Sequence, residues 1–115
     1  MAPSTPEPRA LRVTSAWNAT YVPALAVRAG DSVTPGRMDD DYPGWQWVTN
    51  ASGLGGWIPA SLLEGGRVAS DFDTAELTVH PGMIVTSLKT RAGWHWCRDR
   101  TGNEGWLPAS HLAPT

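Results

Sequence analysis

The sequence predicts an all-β protein made of two copies of a small barrel or sandwich. The first observation is an internal repeat, because the block Gly56–Leu63 (GWIPASLL) returns as Gly105–Leu112 (GWLPASHL), 49 residues later. The second is that short alternating apolar runs are separated by glycine-rich turns, with no sustained helical periodicity. A period of about 50 residues with such strands is typical of a duplicated small β domain.

The repeat extends well beyond this block. Gly44–Val48 (GWQWV) matches Gly93–Cys97 (GWHWC) at the same offset, and further upstream the offset rises to 55, where Trp17 aligns with Phe72. Loops absorb such changes of length at little cost in free energy, whereas strands do not. We therefore predict one barrel over residues 11–64 and a second over 65–115. Because the join between them is very short, we expect the two barrels to touch.

Residues 1–10 are proline-rich and polar, and they predict a disordered leader, since such a segment buries too little apolar surface to offset its ordering entropy. A proline-rich PxxP motif within it is expected to be part of this flexible tail. The chain contains no stretch typical of a signal peptide or a membrane span. Cys97 is the single cysteine, so an intrachain disulfide is impossible. A cytoplasmic protein without a membrane partner is the expectation.

Charge and motifs argue against several function classes. The formal net charge is −2 and neither predicted barrel carries a basic patch, which disfavours nucleic acid as a partner. No serine–histidine–aspartate set, carboxylate pair or phosphate-binding loop stands out, so we expect no enzyme and no cofactor. The three histidines, His80, His95 and His111, lack the spacing of metal ligands.

The order of the motifs carries a family resemblance. Leu-x-Val-x-x-Gly, then Gly-Trp-x-Trp, then Gly-Trp-[Ile/Leu]-Pro-Ala-Ser-x-Leu, occurs twice and resembles the Src homology 3 (SH3) family, in particular its tandem bacterial variants. The resemblance implies a five-stranded barrel in each copy. It also implies a non-catalytic protein in which an aromatic groove binds an extended, proline-rich peptide that loses little entropy on binding.

The resemblance also implies which residues bind the ligand. In the first copy they are Trp17, Trp45, Trp57, Pro59 and Leu62. In the second copy they are Phe72, Trp94, Trp106, Pro108 and His111. We expect two troughs, Trp45 with Trp57 and Trp94 with Trp106, each floored by the proline. Since serine replaces one groove aromatic in both copies and Leu62 or His111 replaces another, we expect weak binding, about micromolar to millimolar.

Several alternatives stay open at this stage. Asp39, Asp40 and Asp41 are either a solvated loop or a charge clamp that favours basic ligands. Trp47 and Trp96 either pack against the other barrel or cover a loop, or they enlarge the ligand platform. The chain is a monomer or a weak homodimer. The competing functions are a structural protein whose groove aromatics lie in an interdomain or homodimer interface, and a module that binds cell-wall peptides.

Cys97 is the counterpart of Val48 in the repeat. Side chains alternate between the two faces of a strand, and the family position of Val48 points to the core. We therefore predict that Cys97 is a buried and chemically inert core residue.

Overall fold

The computed structural model describes residues 7–115 and confirms the all-β class. The strands of this range are β1 (Arg9–Val13), β2 (Ala26–Val27), β3 (Thr34–Met38), β4 (Trp45–Thr49), β5 (Gly55–Pro59), β6 (Leu63–Glu64), β7 (Arg67–Val68), β8 (Phe72–Asp73), β9 (Ile84–Arg91), β10 (Trp94–Arg98), β11 (Glu104–Pro108) and β12 (Leu112–Pro114). The only described helices are two single 3-10 turns, Ala60–Leu62 and Ala109–His111. Each 3-10 turn directly follows the proline of the repeated motif.

The N-terminal strand begins earlier than the sequence suggested. Residues 9 and 10 were predicted to be part of a disordered leader, but Arg9 and Ala10 already pair with Ser87 and Thr86 of β9. That part of the prediction is wrong, because an edge segment can form ladder hydrogen bonds whatever the polarity of its side chains. The predicted leader through residue 6, with the whole of its PxxP motif, lies outside the described residues.

The chain divides into two compact units that are interleaved in sequence. One, called here the central unit, is Thr20–Ala75, and the other, the terminal unit, joins the segment ending at Ala19 to Glu76–Thr115. The repeat had suggested a linear division after residue 64 instead. In the structure the leading segment of each repeat lies in the unit that the other repeat provides.

Strand pairing makes this exchange explicit. Val13 of β1 pairs with Leu112 of β12, while Val68 of β7 pairs with Leu63 of β6. The two pairs are equivalent in the repeat, since Val13 corresponds to Val68 and Leu63 to Leu112. The first strand of each repeat, β1 or β7, needs a free strand edge for hydrogen bonding and an apolar core to pack on. Both units offer nearly the same edge and core. The repeat therefore defines the pairing but not which copy supplies the strand.

The terminal unit is built on a five-stranded antiparallel sheet in the order β11-β10-β9-β1-β12. A single apolar cluster packs on this sheet, and the loop segment around Leu77 and Val79 contributes to it. Its buried members are Leu11, Val13, Leu77, Val79, Val85, Cys97 and Leu107. Because β1 provides two of them, the terminal unit depends on the N-terminal segment for its core.

The central unit contains the three-stranded sheet β3-β4-β5 and the two short pairs β2-β8 and β6-β7. Its own apolar cluster consists of Leu25, Val27, Val33, Val48, Ile58, Leu62 and Val68. Within residues 7–115 no sheet of either unit closes on itself.

The hairpin between β4 and β5 and its counterpart between β10 and β11 use the same turn device with different chemistry. Asn50 Oδ1 accepts hydrogen bonds from the backbone N–H groups of Ser52 and Leu54, both at 3.0 Å. Asp99 Oδ1 accepts from the N–H groups of Thr101 and Asn103 at 2.9 and 3.0 Å. A neutral amide and a carboxylate therefore organise equivalent turns, as expected for asparagine and aspartate at such positions.

This equivalence predicts the behaviour of two substitutions at Asp99. Asp99→Asn should leave the free energy of unfolding at neutral pH unchanged within about 0.5 kcal/mol, whereas Asp99→Ala should lower it by about 1 kcal/mol through lost hydrogen bonds. Urea unfolding measures both. If the asparagine variant were as unstable as the alanine variant, the charge rather than the turn geometry would be what matters.

The pH dependence of unfolding shows whether the charge of Asp99 adds to the stability that its turn geometry provides. Hydrogen bonding, led by the Thr101 hydroxyl, lowers the pKa of Asp99 below its ordinary value of 3.8. A carboxyl with a lowered pKa stabilises the fold above its unfolded pKa, and this stabilisation is lost as the pH falls through the folded value. The wild type should therefore lose more stability in acid than Asp99→Asn does.

Candidate functional site

The predicted groove residues of the central unit lie on one face of the β4–β5 hairpin. Trp45 pairs with Pro59 and Trp47 with Trp57 across the two strands. Directly opposite residues share a face, and so do residues two apart on one strand, which places all four side chains together. Val48 and Ile58 point the other way and are fully buried in the core, as the alternation predicts.

These four side chains differ in what they contact. Trp45 is only 4% exposed and its ring lies 5.8 Å from that of Phe72, measured between centroids. Trp57 is half-buried and makes an edge-on contact with Trp47, with centroids 5.2 Å apart at 71°. Pro59 and Leu62 are buried. The aromatic surface that remains accessible in this unit therefore centres on Trp47 and Trp57 rather than on Trp45.

Two further side chains complete this surface. The Tyr21 ring lies 5.0 Å from the Trp47 ring and Tyr21 is 40% exposed. The Arg37 guanidinium carbon lies 5.0 Å from the centroid of Trp57, at the distance of a cation–π contact. We call Tyr21, Arg37, Trp47 and Trp57 the aromatic patch. Neither Tyr21 nor Arg37 belongs to a repeated motif, so no pattern in the sequence marks either as a site residue.

Two glycines explain why Trp47 can take this position. A Cβ atom on Gly55 would lie 2.6 Å from Cε2 of Trp47, and one on Gly36 would lie 3.2 Å from its Cδ1. The ring therefore rests on backbone that carries no side chain. In the terminal unit the position of Gly55 is taken by Glu104, whose carboxylate accepts a hydrogen bond of 3.0 Å from Nε1 of Trp96. The equivalent tryptophans thus have different surroundings in the two units.

In the terminal unit the structure brings three predicted site residues together. The Trp17 ring makes edge-on contacts with the rings of Trp94 and His111, with centroids 5.3 and 5.2 Å apart. Nε1 of Trp17 donates a hydrogen bond to Glu76 at 2.8 Å, and Nδ1 of His111 lies 3.1 Å from the carbonyl oxygen of Ala16, to which it donates. Trp94 is 8% exposed. This cluster therefore offers little aromatic surface beyond Trp17 and His111.

Trp17 was assigned by the repeat to the first copy and Phe72 to the second. In the structure Trp17 contacts residues of the second copy and Phe72 contacts Trp45 of the first. The exchange has the same cause as the exchange of β1 and β7, because each aromatic residue follows the leading strand that carries it.

The remaining predicted residues of the terminal unit are largely covered. Trp106 is 4% exposed, lies 5.3 Å from Trp96, and Pro108 is fully buried. The Lys89 ammonium lies 5.5 Å from the Trp96 ring centroid and 5.9 Å from that of Trp106. Trp106 thus packs within the unit, and Trp96 is the half-buried member of the pair.

Glu104 connects this tryptophan pair to a second cation. Its carboxylate lies 2.7 Å from a terminal guanidinium nitrogen of Arg98 and also accepts from Nε of that arginine at 2.8 Å. The hydrogen bond from Arg98, followed by that from Trp96, lowers the pKa of Glu104. Because the pair is exposed to solvent, we expect it to orient Trp96 rather than to stabilise the fold appreciably.

The acidic run of the central unit has a mixed role. Oδ1 of Asp39 accepts hydrogen bonds from the backbone N–H groups of Asp41 and Tyr42 at 2.8 and 3.2 Å, so this carboxylate organises its own loop. Asp40 and Asp41 are exposed. Of the three residues predicted to act as a charge clamp, these two are the ones that face solvent and can meet a ligand.

Charge is distributed very unevenly between the two units. The central unit has seven acidic and three basic residues, a formal charge of −4, and the rest of the chain has four acidic and six basic residues, a formal charge of +2. A linear division after residue 64 would instead give −2 for residues 11–64 and zero for residues 65–115. The difference arises because the interleaved boundary moves acidic residues such as Asp71 and Asp73 into the central unit.

Cys97 is buried as predicted, with no exposed surface, and its sulfur contacts the carbonyl oxygen of His95 at 3.6 Å. Burial raises the pKa of the thiol to about 12, so the thiolate is absent at neutral pH.

We expect no reaction of Cys97 with a thiol reagent in the native protein and rapid reaction in urea. We also expect Cys97→Val to change the free energy of unfolding by less than about 1 kcal/mol. Native-state labelling followed by mass spectrometry would contradict this if the adduct formed readily.

Among residues 7–115, no group of three histidine, cysteine, aspartate or glutamate side chains is arranged to hold a metal ion. In the same range no helix is long and apolar enough to cross a membrane. Comparison of the chain with protein-family models, with curated proteins and with solved structures finds no match.

Proposed function

We propose that this protein is a non-catalytic peptide-binding module of two SH3-like barrels, and that the aromatic patch of the central unit is its ligand surface. The observation that carries the proposal is the half-buried Trp47–Trp57 pair, which lies on a sheet face in a unit of formal charge −4. An aromatic platform in an acidic unit favours extended peptides that contain proline together with lysine or arginine.

The arrangement of strands supports the SH3-like part of the proposal. In each unit a three-stranded meander, β3-β4-β5 or β9-β10-β11, is followed by a 3-10 turn and a short strand that pairs with a leading strand. The same order occurs in both units: a strand that ends in Gly-Trp-x-Pro, then a 3-10 turn, then a short strand. Counting the leading and trailing strands with the meander gives five strands in each unit, the number that the resemblance implies, and the central unit has the short β2-β8 pair in addition.

The central unit offers a peptide both apolar aromatic surface, on the patch, and charged side chains. A tryptophan ring presents a large apolar face to a proline ring, which loses little entropy when it binds. Since Arg37 covers one face of Trp57, a peptide would rest on Trp47 and Tyr21, or displace the guanidinium at a cost of about 0.5–1 kcal/mol. The exposed carboxylates of Asp40 and Asp41 would attract the basic residues of the peptide. Affinity should be weak, about micromolar to millimolar.

The test is a nuclear magnetic resonance titration that follows the indole N–H signals of the assigned tryptophans. The full chain is titrated with a proline-rich peptide containing arginine, with a version in which glutamate replaces arginine, and with a basic peptide without proline. We expect the first to shift the signals of Trp47 and Trp57, and the acidic version to bind much more weakly.

Matched variants separate the patch from its counterpart in the terminal unit. Trp47→Ala should weaken binding about tenfold, as loss of a central aromatic contact does, while Trp96→Ala, the equivalent change in the terminal unit, should leave it unchanged. Amide spectra check that each variant keeps the native fold. If no peptide shifts Trp47 or Trp57, or if both variants bind like the wild type, the patch is not the ligand surface.

One observation favours a second candidate function. Trp45, Trp94 and Trp106 are at most 8% exposed, although the resemblance assigns them to ligand grooves. Buried groove aromatics suit a structural or scaffolding protein in which these rings stabilise the fold. If no peptide shifted the indole N–H signal of any tryptophan, that result would favour the structural function. It would argue against binding of proline-rich peptides in the cytoplasm and against binding of cell-wall peptides.

A further inference from the structure

The terminal unit has a row of polar side chains across three neighbouring strands that the proposed function does not use. Arg9 of β1 pairs with Ser87 of β9, and the Ser87 hydroxyl lies 2.7 Å from Nδ1 of His95 on β10. Ser87 is 7% exposed and His95 is half-buried, whereas Arg9 is exposed. The buried hydroxyl of Ser87 on β9 therefore lies between the exposed guanidinium of Arg9 on β1 and the half-buried imidazole of His95 on β10.

A cavity of about 190 Å³ adjoins this row. Besides Arg9, Ser87 and His95, its lining includes Glu7, Lys89 and Thr90. The Lys89 ammonium is directed towards Trp96 and Trp106, so its charge acts on the cavity only at longer range. The site thus combines one direct cation, one carboxylate and the neutral polar side chains of Ser87, Thr90 and His95, in a unit of formal charge +2.

We propose that Arg9, Ser87 and His95 form a binding site for one small oxyanion, a carboxylate or a sulfate-like group. The guanidinium offers a fork of N–H donors that matches the two oxygens of such a group. When the Ser87 hydroxyl donates to Nδ1, the proton of neutral His95 is on Nε2, which can then donate to the anion. The site is independent of the aromatic patch, and neither depends on the other.

Anion binding should be coupled to protonation of His95. Burial, together with the charge of Arg9, lowers the pKa of His95 below its ordinary value of 6.5, so the imidazole is neutral at neutral pH. An anion placed between Arg9 and His95 offsets the charge of Arg9 and favours the imidazolium. Protonated His95 donates from both nitrogens, which also releases the Ser87 hydroxyl to donate outward. Affinity should therefore rise as the pH falls, and the carboxylate of Glu7 should oppose binding.

The experiment titrates the full chain with sodium sulfate at constant ionic strength, because sulfate does not itself titrate near neutral pH. The His95 ring signals and the Arg9 side-chain N–H signal report binding. We expect saturation with a dissociation constant of about a millimolar, tighter at pH 6 than at pH 8, and a raised pKa for His95 in sulfate. N-acetylglycine, with its amide as the uncharged control, tests the carboxylate form of the ligand.

Charge variants provide the controls. Arg9→Gln should weaken sulfate binding about tenfold and Glu7→Gln should strengthen it about threefold, while Arg12→Gln, an exposed arginine on the same strand, should leave it unchanged. If Arg9→Gln lost the native amide spectrum, His95→Gln would replace it, and the pH dependence should then disappear. Linear, unsaturated shifts, or equal affinity in Arg9→Gln and Arg12→Gln, would overturn the proposal and leave only general charge screening.

Discussion

Residues 20–75 expressed alone are expected to fold, whereas residues 11–64, the unit suggested by the repeat, are expected to remain unfolded. The first segment keeps every buried member of the central core, from Leu25 to Val68. The linear segment lacks Val68 and Phe72 and leaves β6 without its partner. Burial of one valine or phenylalanine contributes about 1.5–3 kcal/mol, and a unit of this size has little stability to lose.

Amide dispersion and thermal unfolding of the two fragments measure this difference. Residues 65–115 serve as a second linear fragment, which should also be unfolded because it lacks β1. A matched positive control joins the segment ending at Ala19 to Glu76–Thr115 through a short glycine–serine linker, since the N–H of Ala19 already lies 3.0 Å from the Thr78 hydroxyl. A cooperatively folded 11–64 fragment would show that the exchanged pairing is not required.

Gly105→Ala is expected to lower the free energy of unfolding of the terminal unit by about 3 kcal/mol, the upper end of the effects seen for overpacking. A Cβ atom there would lie 2.6 Å from the carbonyl carbon of Glu76 and 2.7 Å from the nitrogen of Leu77. Both are backbone atoms that cannot rotate away. The loop at Leu77, which supplies a core residue, would have to move.

Gly56→Ala is the matched control, because Gly56 occupies the same position in the central unit. Its Cβ would meet the Cβ atom of Leu25 and the hydroxyl oxygen of Thr74 at 3.0 Å, a smaller overlap than the one at Gly105. We expect a loss of about 1–2 kcal/mol in this variant. Urea unfolding followed at the Trp106 and Trp57 indole signals separates the two units. Equal losses in both variants would contradict the packing explanation.

Local pattern determined much of this protein. The alternation of side chains along Trp45–Thr49 and Trp94–Arg98, together with the family position of Val48, predicted that Val48 and Cys97 are buried, since the period of a strand is two and equivalent positions share a face. Glycine-rich turns and the absence of helical periodicity determined the all-β class. The repeated motifs also located the hairpins, because such turns depend on residues that are adjacent in sequence.

The position of the strand that completes each unit was decided only by tertiary structure. The pair of Val13 with Leu112 and the pair of Val68 with Leu63 join equivalent positions of the repeat, so no local signal distinguishes a linear from an interleaved pairing. Chain connectivity and packing of the whole chain choose between them. The assignment of Trp17 and Phe72 to the opposite units followed from that choice.

Tertiary structure also decided which side chains meet in the aromatic patch. Tyr21 and Arg37 join Trp47 and Trp57 from separate segments, and Gly55 matters only because Trp47 lies over it. Sequence alone placed aromatic residues on the correct strand face, but how far each ring is covered depends on neighbours distant along the chain. Exposure is a property of packing, and it was therefore beyond what the pattern of residues could determine.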